Sequence, residues 1–267
     1  MSLGIRMSSV EKTQQPDGSV PAKGGIQVIA RAAEILRALM ERPKGLSLGE
    51  IALDVDLPRS TVQRIVDALA RENLVLPANA YHGVKLGPAL ISLGAATQFP
   101  IAEMAAPSME ALAKHTGETV DLSVVNRNNM VFLEQIPGTH RLAALSAVGV
   151  TFPFHCTANG KAALALMDEA SLCKMRKRLS LERHTAHTIT DWDALMAELE
   201  RIRKDGVAFD REENSIGICA VAKAFRSPSN ELVAISIPVP TVRFREKEAQ
   251  LAHLLEAEFA VLMKRLR

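Results

Sequence analysis

Residues 47–71, SLGEIALDVDLPRSTVQRIVDALAR, decide how the rest of the chain is read. Apolar residues fall at Leu48, Ile51, Ala52 and Val55, and again at Val62, Ile65, Val66 and Leu69. Each set has the spacing of one helical face, so two short helices are expected with a tight break between them. Ser47 followed three residues later by Glu50 is a capping-box pattern, which satisfies backbone N–H groups at a helix start. Pro58 suits the first turn of the second helix, where a missing N–H leaves nothing unpaired. Arg59, Ser60, Thr61, Gln63 and Arg64 crowd the other flank of that helix. Hydroxyls, amides and guanidinium forks are the groups that bond base edges and phosphates. The first helix is acidic outside its apolar face, with Glu50, Asp54 and Asp56, so it suits the positioning role in a helix-turn-helix. A plain helical hairpin with a solvated flank has the same pattern, and both readings stand at this point.

Upstream, Val28, Ala32, Ile35, Leu36 and Leu39 make one face of a third helix from about Ile26 to Met40, stopped by Arg42-Pro43-Lys44-Gly45. Downstream, residues 73–77 and 83–87 read as two short strands about a turn at 78–80. Such a hairpin after a helix-turn-helix reads as the wing of a winged helix, with Tyr81, His82 and Lys85 available to DNA; a generic hairpin is the alternative. Residues 88–98 form an apolar joining helix, and 100–116 a second amphipathic helix closed by Gly117.

Beyond it the period changes to that of strands. Extended pieces are expected at 119–125, 130–136, 141–148, 151–155, 207–209, 216–225 and 232–239. Helices are expected at 159–167, 171–179, 191–204 and 243–267. Strands and helices in this order give an α/β (α+β) class, an antiparallel sheet flanked by helices. The domain expectation is a disordered stretch at 1–24, a DNA-binding domain at 25–87, a linker helix at 88–99 and a second domain at 100–267.

Composition narrows the class. Lys and Arg number 32 against 30 Asp and Glu, and residues 1–90 hold the whole excess of two. That is too little to argue nucleic-acid binding from charge, so any DNA contact must rest on local placement. Cys156, Cys173 and Cys219 are odd in number and widely spaced, which fits a reducing cytoplasm rather than a disulfide framework. No apolar run reaches the roughly 18–20 residues of a membrane span, and no secretory signal is expected at the N-terminus.

The adjacent His155 and Cys156 raise the alternative of an enzyme. Neighbours on a strand face opposite ways, so the two are not expected to pair. His184 and His187, in ERHTAHT, suggest a metal site with His155 or Cys156, but no second pair at ligand spacing supports it. Lys161 after Gly160 lacks the upstream glycine of a phosphate loop. GxSxG and HExxH are absent. No catalytic residue, metal or cofactor is expected. A ligand-sensing adaptor without a DNA role is a third class.

The segments LSLGEIALDVDLPRSTVQRIVDAL, PFHCTANGKAALA at 153–165 and TITDWDALMAELERIRKDGVAFDREENSIG at 188–217 together resemble the IclR family of bacterial transcriptional regulators. The resemblance covers roughly residues 26–265. It implies a winged helix-turn-helix joined by a helix to a GAF-like α+β effector domain, in a dimer or tetramer that acts as repressor or activator. The implied partners are a double-stranded DNA operator, a small organic or aromatic acid from a catabolic pathway, and further copies of the chain. The implied effector cavity matches Phe152, Ala158, Asn159, Gly160, Asp210, Ile218, Ala220, Ser236 and Pro238 here. A helix starting near Asn159 and Gly160 is expected to offer free N–H groups to a carboxylate. Two positions depart from the pattern. Ala220 stands where the family often has cysteine, with Cys219 one residue off and expected on the opposite face. Pro238 stands where a hydroxyl is common. Losing two polar groups favours a more apolar ligand than a two- or three-carbon keto acid, for instance an aromatic acid.

Overall fold

The computed structural model describes residues 25–40, 42–79, 81–97, 99–144 and 147–266. The stretch 1–24 expected to be disordered lies outside them, as do Glu41, Ala80 of the expected turn, Gln98, Leu145, Ser146 and Arg267. The chain divides after residue 98 into two compact units. Among the described residues no single helix is long and apolar enough to cross a membrane.

The first unit holds α1 (Gly25–Met40), α2 (Leu48–Asp54), α3 (Arg59–Arg71), β1 (Val75–Leu76), β2 (Lys85–Leu86) and α4 (Ala89–Ala95). Its core takes most of the set that the helical period picks out, Ile35 and Leu39 of α1, Ile51 of α2, and Val62, Ile65, Val66 and Leu69 of α3, while Val28 of the expected α1 face is exposed. Burying each such side chain contributes about 1.5–3 kcal/mol before chain entropy is counted. The capping box at α2 forms in both directions: Glu50 N donates to Ser47 Oγ at 3.2 Å and Ser47 N to Glu50 Oε2 at 2.7 Å. Pro58 is the N-cap of α3 rather than a first-turn residue, in extended conformation with ψ 137°. Asp56 takes the left-handed conformation, φ 48°, in the break between the two helices.

The expected hairpin pairs as β1 with β2, and Leu46 adds a bridge to Val84 on its other side. Gly45 permits that approach. Its φ is +87°, and a Cβ there would lie 2.8 Å from the Val84 carbonyl oxygen. A single bridge leaves no period in sequence, which is why this third arm was not expected. The helix expected at 88–98 shortens to the seven residues of α4, none of them buried, with Ile91 and Leu93 exposed.

In the second unit, α5 (Pro100–Thr116) precedes β3 (Val120–Asn126), β4 (Asn129–Ile136) and β5 (Thr151–Pro153). Then come α6 (Ala158–Ala165), α7 (Glu169–Arg176), α8 (Trp192–Asp205), β6 (Ala208–Arg211), β7 (Ile218–Arg226), β8 (Leu232–Pro240) and α9 (Thr241–Arg265). Among the described residues the sheet is antiparallel, in the order β5-β4-β3-β8-β7-β6. α5 and α9 pack on one face, with Met109, Leu112, Phe244 and Leu255 against Val120, Val221 and Ile235. α6, α7 and α8 cover the other, with Leu164, Leu172, Leu195 and Leu199 buried there. Gly117 and Gly206 close α5 and α8 in the left-handed conformation, as their positions in sequence require.

Residues 141–148 were expected to be extended. Their described part forms bends and a turn, with Leu142 and Val148 exposed. Arg243 Nη2 donates to the Leu142 carbonyl at 2.7 Å, so this stretch is fastened by a side chain instead of a strand ladder. The strand expected at 151–155 stops at Pro153, and residues 154–157 turn into α6.

Candidate DNA-reading surface and ligand cavity

The outer flank of α3 stands in solvent. Arg59, Ser60, Gln63 and Arg64 are exposed and Thr61 is half-buried, while Val62, Ile65 and Val66 face inward. Gln63 donates from Nε2 to Asp67 Oδ1 at 2.7 Å, so part of its amide is engaged along the helix. Arg59 and Arg64 have no ion-pair partner among the described residues. On the hairpin, Tyr81 is 95% exposed and Lys85 half-buried. His82 departs from expectation. Its Nδ1 bonds the Gly83 carbonyl at 2.7 Å and its Nε2 pairs with Asn79 Nδ2 at 2.9 Å. Asn79 Oδ1 meanwhile accepts from Tyr81 N and His82 N. Both ring nitrogens are engaged in holding the turn, so His82 shapes the tip and Tyr81 is the residue it presents. Lys85→Ala is expected to weaken DNA binding about equally on all sequences and to flatten log K against log salt by about one counterion. Fluorescence anisotropy over a salt series reads this.

The second unit contains a cavity of about 180 Å³ over the face of the sheet that carries α6. The register explains who faces it. Asp121 pairs with Ser236, and Asp210 pairs with Ala220, which pairs with Pro238. Residues directly opposed on antiparallel strands share a face, as do positions two apart. Phe152 from β5, Ala158 and Asn159 from α6, and Ile218 from β7 complete the expected set, and all of these line the cavity. Cys219 faces the other layer, where its Sγ lies 3.4 Å from Thr241 Oγ1.

Gly160 is the exception. It is buried behind the wall, where a Cβ would sit 2.5 Å from Phe154 Cα and O. Its N–H is already bonded to Thr157 Oγ1 at 3.2 Å and Asn159 Oδ1 at 3.0 Å. The expected free N–H at Gly160 is therefore absent, and its role is close packing of α6 on the preceding turn. Asn159 also donates from Nδ2 to Ser123 Oγ at 2.9 Å, tying the start of α6 to β3.

Sequence reasoning missed Asp121, Phe132, Ala144, Thr157, Asn214 and Ser215, which also line the cavity. Phe132 and Phe152 stack edge-to-face with centroids 5.0 Å apart. Asp121 accepts from Gln135 Nε2 at 2.7 Å. Its position had a signal: a carboxylate inside an apolar alternating strand, Thr119–Val125, is costly unless it has a task.

Asp210 has its carboxyl pushed up to about 7, first by burial and then by the charge of Glu213. Its Oδ1 accepts the Glu213 N–H at 2.7 Å. Folding thus favours the protonated form. The ionised form burdens the native state increasingly as pH rises from the ordinary carboxylate range through about 7. Asp210→Asn is expected to raise the melting temperature relative to the parent more at about pH 8 than at about pH 5. A melting series across that range checks the slope.

Behind the wall, Lys161 is fully buried on α6 and its Nζ lies 2.5 and 2.6 Å from the Glu213 carboxylate oxygens. A second carboxylate, Glu198, lies 3.4 Å away and is shared with Arg201. Lys161 is thus an internal ion-pair centre.

His155 and Cys156 do not lie on a strand, as the sequence reading assumed, but in the turn between β5 and α6. Their ligand atoms come within 4.8 Å of each other and of His184. His155 Nε2 bonds the Glu182 carbonyl at 2.9 Å, and burial holds its pKa below the ordinary value. Burial, then the charges of Asp210 and Glu213, push the Cys156 thiol up to about 12. A thiol so held is not a nucleophile near neutral pH.

A helix-turn-helix with an exposed polar flank, joined in one chain to an α+β unit with an internal cavity, defines the class of one-component regulators. The comparisons give the family. Residues 28–76 match the IclR helix-turn-helix domain, and residues 93–260 match the bacterial transcriptional regulator IclR C-terminal domain. The HTH-type transcriptional regulator Rv1719 of Mycobacterium tuberculosis is 47% identical over 235 residues, covering 88% of this chain and 90% of that protein. The Thermotoga maritima IclR crystal structure aligns with TM-score 0.64 and 28% identity over 91% of this chain and 99% of that one. An IclR homolog from Microbacterium hydrocarbonoxydans, complexed with 4-hydroxybenzoate, has the same fold, with TM-score 0.70 and 22% identity over 90% and 99% of the two chains. The chain belongs to the IclR family: it is a DNA-binding transcriptional regulator, and its relatives are regulators rather than enzymes.

Proposed function

We propose that this regulator binds an operator in the cytoplasm as a homodimer or dimer of dimers and changes its grip when a small ligand enters the cavity. The observation that carries the reading is the solvent-facing flank of α3, with Arg59, Ser60, Gln63 and Arg64 outward over a buried apolar face. In this reading α3 enters the major groove, the hairpin lies along the backbone through Tyr81 and Lys85, and Thr61 supplements the helix contacts. Two readers contact two half-sites of a pseudo-palindrome, because protein symmetry sets operator symmetry. The exposed apolar residues of α1 and α4, Val28, Ile29, Ile91 and Leu93, support pairing of copies through these helices.

The ligand is a single-ring aromatic compound handled by the catabolic operon under control. The cavity, at about 180 Å³, lies below the roughly 300–1,000 Å³ of drug-sized sites, and two phenylalanines line it. The 4-hydroxybenzoate in the Microbacterium homolog is a ligand of that size. Repression released by ligand is the proposed sign of control. Gel shift on the DNA upstream of the gene, with and without candidate aromatic catabolites, tests the whole reading. Shifted DNA that single-ring aromatics release supports it. DNA binding indifferent to every such compound separates the cavity from the DNA and removes the coupling.

A further inference from the structure

We infer that His155, Cys156 and His184 form a binding site for a zinc ion, held by two imidazoles and one thiolate. The cluster lies outside the lining of the ligand cavity, and its reading is independent of that cavity's. Spacing in sequence gave no ligand set here, because the residues come from two segments, the turn between β5 and α6 and the loop 182–188. The fold brings their donor atoms within 4.8 Å of one another. His155 and Cys156 are buried, and His184 is exposed. The loop that carries His184 is held in place. His184 N and Thr185 N donate to Thr188 Oγ1 at 3.1 and 2.8 Å, and Thr188 Oγ1 donates to the Glu213 carbonyl at 2.6 Å. Thr185 Oγ1 donates to the Glu212 carbonyl at 2.7 Å. His184 is thus presented from backbone fastened to the turn after β6.

The donor set suits that ion. His155 Nε2 lies 2.9 Å from the Glu182 carbonyl oxygen, which can only accept, so the ring proton sits on Nε2 and Nδ1 keeps its lone pair. A histidine whose far nitrogen donates to a carbonyl is the usual form of a zinc-bound imidazole. Cys156 Sγ donates to Asn214 Oδ1 at 3.6 Å. Zinc replaces that thiol proton, which passes to solvent as the zinc–sulfur bond forms. Burial keeps the proton on a free thiol, but coordination removes it, because the ion supplies the compensating charge. Zinc bonds of about 2.0–2.3 Å at tetrahedral angles set donors about 3.3–3.6 Å apart, so a gap of 4.8 Å closes by about 1 Å. Exposed His184 supplies that movement by turning its side chain, and its exposure leaves a fourth position to water. Magnesium and calcium take oxygen donors and do not suit the set.

The test uses the full chain, stripped of metal by a chelator and kept reduced without added thiol, with zinc chloride as the probe. Calorimetry is expected to give about one zinc per chain at micromolar affinity or tighter, and no binding of magnesium. Cobalt(II) in place of zinc is expected to show a thiolate-to-metal charge-transfer band in the near ultraviolet, and Cys156→Ser to abolish it. His184→Ala changes an exposed side chain and leaves the core untouched, so it tests the site even if Cys156→Ser fails to fold. It is expected to weaken zinc at least about tenfold. His187→Ala and Cys173→Ala alter exposed donors outside the cluster and are expected to leave the affinity unchanged. No zinc binding by the parent, zinc held equally well by His184→Ala, or zinc lost in His187→Ala or Cys173→Ala would overturn the inference. So would a cobalt spectrum without the thiolate band, or binding confined to copper(I). None of these outcomes touches the reading of the DNA surface or of the ligand cavity.

Discussion

Replacing Glu213 with glutamine, or Lys161 with methionine, is expected to lower the stability of the second unit by about 3–5 kcal/mol. Both side chains are withdrawn from water, Lys161 completely, and their charged atoms lie 2.5 and 2.6 Å apart. Removing Lys161 leaves the Glu213 carboxylate buried beside Asp210 with no cation on it, and removing Glu213 leaves the buried Lys161 ammonium only Glu198, at 3.4 Å and shared with Arg201; either is far worse than the loss of an ordinary contact. In Lys161→Met the strain falls on Glu213, because Glu198 retains Arg201 at 2.6 Å. Glu213 also sits at a crossing of backbone bonds. Its N–H donates to Asp210, and its carbonyl accepts from Thr188 Oγ1 at 2.6 Å. The pair therefore pins α6 to the 210–215 turn, which supplies Asp210, Asn214 and Ser215 to the cavity. The double exchange, Lys161→Met with Glu213→Leu, is expected to recover most of the loss, since it leaves no charge unpaired and keeps the main-chain bonds. Trp192 is the single tryptophan and lies on α8, so its fluorescence in urea reports this unit alone. Single variants that lose less than about 1 kcal/mol, or a double variant worse than either, would sink this account.

What could be read from sequence followed the strength of the local pattern. The α3 period placed Val62, Ile65, Val66 and Leu69 inside and the arginines outside, because a helical face repeats over enough residues to leave one consistent solution. The face of Ala220 against Cys219 was also legible, since strand alternation allows only two choices. Most of the cavity positions came through family resemblance rather than physics, as they lie on separate elements that meet only when the sheet forms. Gly160 was misassigned because a glycine near a helix start reads equally as an open donor or as a close approach, and only the Phe154 backbone beside it decides. For His82 the place beside the turn was legible, and its bonds to Asn79 and Gly83 were not. Asp121 is the omission that the sequence could have supplied, a carboxylate within an apolar alternating strand that the fold places on the cavity wall.

Arg59→Ala and Arg64→Ala are each expected to weaken operator binding by about 1–3 kcal/mol, roughly 5- to 150-fold, and together to abolish the distinction between operator and unrelated DNA. Both side chains stand in solvent, and neither has an ion-pair partner among the described residues, so their removal leaves the fold intact. Alanine also favours a helix at least as well as arginine does. α3 keeps its anchors, because Val62, Ile65, Val66 and Leu69 lie on the opposite side. The salt series separates two ways in which an arginine can act. A guanidinium on a base edge gives sequence discrimination, and its loss relaxes preference at one position of the half-site. A guanidinium on a phosphate gives no discrimination, and its loss flattens the salt slope by about one counterion. Arg59 opens α3 and Arg64 lies more than a turn further along, so in the proposed reading the two face different base steps. Affinity unchanged in both variants, with ligand binding in the cavity intact, would remove α3 as the reading helix.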